Sequence, residues 1–141
     1  MRRDASRELL APRADVWAFL AEPHHLADWW PRIRGVQPDR RGFAPGARWG
    51  VMTLERLPLM GWRDPKQPVM LVIGDVDPNE RWTWQLTGET PLTVEIRLAA
   101  VAPDRTLVAV AVDAPALASP KKVARTAVDR LYNLVQTAAE L

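Results

Sequence analysis

Between positions 16 and 33 the chain reads Val-Trp-Ala-Phe-Leu-Ala-Glu-Pro-His-His-Leu-Ala-Asp-Trp-Trp-Pro-Arg-Ile, and its two prolines limit what this stretch can become. A proline ring removes a backbone donor and disfavours a helical residue before it, so no single helix passes through Pro23 or Pro31. The spacing predicts two short abutting helices. The first spans roughly 14–21 and puts Val16, Trp17 and Leu20 on one face. The second accepts Pro23 in its first turn, where an amide is spare, and runs through Leu26, Trp29 and Trp30 to Pro31. A strand over 3–11, closed by Ala11-Pro12, precedes the pair. A run of strands follows, and one long amphipathic helix ends the chain. That order describes an α+β domain in which a strongly curved sheet wraps a helix, an arrangement that tends to enclose a cavity.

The strands are marked by alternation and by the turns between them. Residues 47–57 form one strand, entered through a loop whose Pro45-Gly46 suits a type II turn. Residues 58–67, with Gly61, Pro65 and Trp62, read as a long connection. Residues 68–76 are apolar and β-branched, and Asp77-Pro78-Asn79-Glu80 turns them into 81–87. Residues 91–101 alternate most cleanly, Leu92, Val94, Ile96 and Leu98 against Thr93, Glu95 and Arg97. A last strand covers 106–113. Hairpin-length links imply an antiparallel sheet. Ser119-Pro120 then opens a helix, serine as cap and proline in the first turn. Val123, Ala124, Ala127, Val128, Leu131, Leu134, Val135 and Ala138 make its apolar stripe.

Composition removes several functions. With no cysteine there are no disulfides, thiolate metal sites or cysteine nucleophiles. A length of 141 residues fits one domain, 1–141. No apolar run reaches membrane-spanning length and the first eight residues hold no signal-peptide core, so a cytoplasmic setting is expected. The formal charge is only +2, with basic and acidic residues interspersed. Nucleic-acid binding needs clustered positive charge, and the best cluster, Arg32, Arg34, Arg40 and Arg41, is interrupted by Asp39. It reads as a solvated surface, and no nucleic-acid partner is expected.

Four stretches together resemble the START-like, or Bet v 1-like (SRPBCC), superfamily, in particular its polyketide cyclase/dehydrase and lipid-transport branch. Ala11-Pro12 before Val16 to Pro23 is similar to the family's opening strand and first helix. Trp29-Trp30-Pro31-Arg32-Ile33 resembles the W-x-P-x-aliphatic signature that ends helix two. Val76 to Trp84 resembles the strand–DPP–strand hairpin, with Asn79 in place of the second proline. Leu131 to Glu140 resembles the terminal helix. Glu22 stands where many relatives carry aspartate, a better cap. The resemblance implies a helix-grip fold: six to seven antiparallel strands curved around the long C-terminal helix, two short helices after the first strand, and a cavity between sheet and helix.

Seven tryptophans exceed what so small a domain needs for packing. Burying each contributes about 4–6 kcal/mol from its area. Trp17 and Trp29 are assigned to the core. Trp30, Trp49, Trp62, Trp82 and Trp84, with Val51, Leu131 and Val135, are the candidate ligand-lining residues; simple core filling is the competing reading. An empty apolar cavity of about 300 Å³ would cost about 7 kcal/mol, comparable with a domain's whole stability of about 5–15 kcal/mol. Such a pocket should be occupied, wet, or collapsed onto these rings.

Reactive chemistry is sparse. The only histidines, His24 and His25, are adjacent and point apart on a helix, so no metal site is expected. No phosphate-binding glycine loop or nucleophile elbow occurs, and no cofactor is expected. Glu55, Asp75, Glu95 and Arg97 are the strand residues that could supply an acid or base. Glu55, sharing a face with Trp49 and Val51, is the leading candidate for an internal catalytic carboxylate, with a solvated place near a strand end as the competing reading. Glu95 and Arg97 should face outward. Three functions remain open: a carrier or sensor for a hydrophobic, aromatic or lipid-like small molecule; a cofactor-free cyclase/aromatase or dehydratase; and a co-chaperone-like interaction module. A homodimer is compatible with each.

Overall fold

The computed structural model describes residues 1–53, 55–57, 61–63, 69–88 and 91–140, with backbone alone at 55–57, 61–63, 117 and 138–140. In order come β1 (Arg2–Leu9), α1 (Arg13–Ala21), a 3-10 turn (Pro23–His25), α2 (Leu26–Trp29), β2 (Ile33–Gln37) and β3 (Arg48–Thr53). A small hairpin of β4 (Glu55–Leu57) and β5 (Gly61–Arg63) follows. The chain continues through β6 (Val69–Asp77), β7 (Arg81–Leu86), β8 (Leu92–Ala102), β9 (Arg105–Asp113), a second 3-10 turn (Ala116–Ala118) and α3 (Pro120–Glu140).

Alternation sorts the side chains of the main sheet, whose seven antiparallel strands run β1-β9-β8-β7-β6-β3-β2. On β7, Trp82, Trp84 and Leu86 turn inward; on β8, Val94, Ile96 and Leu98 do. Curvature has a local cause in β6. Its register against β7 shifts between Ile73 and Val76, and the Asp75 amide donates to Thr83 Oγ1 at 2.8 Å. A bulge of this kind bends and twists the strand that carries it. Gly74 permits it, because a Cβ there would lie 2.6 Å from the same hydroxyl.

The stripe on α3 is buried as its spacing requires, with Ala124, Ala127, Val128, Leu131 and Val135 inside and Arg125 and Asn133 exposed. This helix rests on β1 and β9 and meets α2. Arg7 of β1 clamps it, pairing with Asp129 at 2.9 Å and laying its guanidinium 3.8 Å from the centre of the Tyr132 ring. Thr106, the buried polar residue of the described core, donates from Oγ1 to the Ala11 carbonyl at 2.8 Å. That bond ties the start of β9 to the turn between β1 and α1.

Several sequence expectations change in detail. Pro23 opens a 3-10 turn rather than an α-helix, capped by Glu22 Oε1 accepting from the His24 amide at 3.4 Å. The predicted strand 47–57 is two strands in two sheets, because β3 ends at Thr53 and Glu55 begins the β4–β5 hairpin. The predicted long connection over 58–67 therefore contains a strand, β5. Ser119 precedes α3, but in a left-handed conformation (φ 51°), and it works through its carbonyl, which accepts from the Val123 amide. Gly46 (φ 82°) and the Ala47-to-Ala44 bond make the expected turn. Asn79 adopts φ 65° in the 77–80 turn, a value closed to proline, which accounts for the departure from the DPP pattern.

Candidate ligand-binding site

Helix α3 covers the β1–β9 side of the concave face, and indoles cover the other. Trp82 and Trp84 come from β7, Trp49 from β3, Trp29 from α2 and Trp30 from the position that caps it; all five are at most 2% exposed. The chain can bring them together because β7 presents every second residue inward and Pro31 stops α2 with two tryptophans at its end. Trp82 is the hub. Its ring centre lies 6.4 Å from Trp29, 6.1 Å from Trp49 and 5.8 Å from Trp84. Trp30 meets Trp84 edge to face at 4.7 Å.

Phe43, from the loop before β3, completes the cluster by touching Trp82 at 4.7 Å, Trp49 at 6.4 Å and Trp17 at 5.5 Å. Sequence reasoning missed it because it sits among glycine and proline in a segment read only as a turn. The available signal was an aromatic ring where a solvated loop has no use for one. Of the other predicted lining residues, Val51, Leu131 and Val135 are buried in the same core. Trp62 lies on β5 opposite Arg56, and its side chain, like that of Glu55, falls outside the described residues. The argument that put Glu55 on the Trp49 face fails, since the two residues no longer share a strand.

Among the described residues, the buried polar side-chain atoms on this face are indole nitrogens. Trp49 Nε1 donates to the Gly42 carbonyl at 2.7 Å. The Nε1 atoms of Trp29, Trp82 and Trp84 are buried and have no hydrogen-bond partner. A buried donor left unpaired costs about 1–3 kcal/mol, so the closed cluster carries a real penalty. Among the described residues no ionisable side chain is buried.

The groups with shifted pKa lie elsewhere. Glu95, on the outer face, is held down to about 2 by hydrogen bonds from Arg81 and Arg97. Asp39 is lowered chiefly by the Arg48 amide, in a surface loop beside the exposed Arg40 and Arg41. His25 has a structural task, Nδ1 lying 2.8 Å from the Phe19 carbonyl with the two rings stacked at 4.1 Å. No cluster of three or more His, Cys, Asp or Glu suited to a metal occurs among the described residues. No helix among them is long and apolar enough to cross a membrane.

A bent antiparallel sheet that grips a terminal helix and lines its free concave face with aromatic rings defines a START-like domain. The profile of the family described as "Polyketide cyclase / dehydrase and lipid transport" matches residues 2–138, and the chain belongs to that family. Solved structures agree on the fold. A protein from Nitrosospira multiformis superposes with a TM-score of 0.72 at 15% identity, covering 100% of both chains. A START superfamily protein from Mycobacterium smegmatis gives 0.62 at 17% identity, over 99% of this chain and 97% of that one. CalU16 from Micromonospora echinospora gives 0.67 at 17%, over 99% of this chain and 78% of that one. No functionally curated protein matches the chain. Family membership points to hydrophobic-ligand binding or cyclase chemistry.

Proposed function

We propose that this protein is a carrier or sensor for a hydrophobic, aromatic or lipid-like small molecule. The ligand is received on the concave face between α3 and the tryptophans of β7, β3 and α2. One observation carries the reading: this face offers close-packed aromatic area and spare donors, with no buried acid or base among the described residues. A binding site needs apolar walls and a few fixed polar handles. An enzyme of the cyclase or dehydratase kind needs a positioned group with a perturbed pKa as well. The shifted carboxylates here, Asp39 and Glu95, lie on a surface loop and the outer face.

Native mass spectrometry of freshly purified protein tests the proposal. The expected result is a co-purifying small molecule, or a thermal shift with members of an apolar aromatic library. Repeated absence of both would defeat it.

A further inference from the structure

Three of the cluster's indole N–H groups lack an acceptor, and they are not scattered. Trp82 and Trp84 are two residues apart on the inner face of β7, and Trp29 lies across from Trp82 on α2. An indole nitrogen donates and never accepts. The same cluster shows that the fold can satisfy such a group, since Trp49 reaches the Gly42 carbonyl. No acceptor among the described residues, side chain or main chain, bonds to the other three. The buried polar side chain of the described core, Thr106, is already committed to Ala11. Solvent offers none either, because the three nitrogens are shut away from it.

Resting on the binding reading above, we infer that the ligand carries hydrogen-bond acceptors, such as ketone, quinone or ester oxygens, on the part it buries, and that Trp29, Trp82 and Trp84 select it through their N–H groups. A bare hydrocarbon frame or acyl tail leaves those donors unpaired; an oxygen placed among them removes the defect. Selection runs one way. A ligand presenting only donors at that point meets donors and gains nothing. A site built to pair a ligand group discriminates strongly against the analogue lacking it, because its own polar atoms then stay unsatisfied. Admission requires the rings to part, and the contacts it must open are those of Trp29 with Trp82 and of Trp30 with Trp84.

Fluorene and 9-fluorenone test this, since they share one flat frame and differ by a carbonyl oxygen. The expected result is that 9-fluorenone binds about tenfold more tightly, the worth of one or two satisfied donors. Nitrogen-15 spectra of the wild-type protein should show indole N–H signals of Trp29, Trp82 or Trp84 moving downfield with fluorenone only. Trp82→Phe and Trp84→Phe, which keep a ring and lose the N–H, should narrow the preference. Equal affinity for both probes with unmoved indole signals overturns the inference and leaves the binding reading standing; it would mean that neighbouring ring faces already satisfy the donors. Binding of neither probe, with indole signals unchanged, counts against both.

Discussion

Strands β7 and β8 present two faces built on opposite principles. Outside, Glu95 accepts from Arg81 at 2.9 Å, from Arg97 at 2.9 Å and from Arg2 at 3.3 Å, while Arg81 also reaches Asp75 at 2.9 Å. Each of these charges has an oppositely charged partner. Inside, one residue along the same strands, Trp82 and Trp84 hold N–H groups with none. The energies run against intuition. The outer network is half in water, where ion pairs contribute about 0–1 kcal/mol each. The inner face holds the protein together through area and packing, despite its unpaired donors. Saturated polar bonding thus marks the face that matters less for stability, and unsatisfied bonding marks the face we assign to the ligand.

The contrast can be broken most forcefully at Trp82. Removing the hub ring with Trp82→Ala should destabilise the fold by about 3–5 kcal/mol, read from urea denaturation. A loss below about 1 kcal/mol would show that the cluster is not the core. Next comes Thr106→Val, which keeps shape and leaves the buried Ala11 carbonyl without its donor; the expected loss is about 1–3 kcal/mol. Full stability in that variant would mean the carbonyl finds another partner.

Outer-face changes should be smaller and should depend on pH. Glu95→Gln is expected to cost about 1–2 kcal/mol at neutral pH: Arg81, its main partner, is only 27% exposed, while the largely exposed Arg2 and Arg97 add little. The folded carboxyl titrates at about 2 against 4.5 for an unperturbed glutamate, so its stabilisation is complete above about 4.5 and fades as pH falls toward 2. Wild type and variant should therefore draw together as pH falls from 4.5 through 2; a gap at pH 2 as wide as at neutral pH would refute the ion-pair account. Smallest of all, Lys122→Glu in the first turn of α3 should stabilise by about 0.3–1 kcal/mol, because the helix N-terminus favours negative charge. A lower melting temperature there would show that Lys122 has an unrecognised partner.

Local chemistry is what the sequence revealed. Pro23 and Pro31, Pro45-Gly46, Ser119-Pro120 and the alternation over Leu92 to Leu98 each act within a few residues, and each sits close to where its pattern placed it. The β4–β5 hairpin was illegible because three-residue strands are too short to show a period, and its Gly61 and nearby prolines carry loop signals. That break also spoiled the inference about Glu55, since side-chain parity survives only along an unbroken strand. Trp29 was assigned to the core and does lie there. Whether an indole nitrogen finds a carbonyl is decided by the packing of α2 against β7, and no spacing rule reports it.

Rings whose centres stand 4.7–6.4 Å apart do not absorb light independently. The transitions of Trp30, Trp84, Trp82, Trp49 and Trp29 mix into delocalised excitations, so the far-ultraviolet circular dichroism should carry a paired positive and negative band near the indole absorption. A guest that wedges between any two of them must weaken that couplet. The molecule is thus its own optical gauge of occupancy, with no dye or label attached.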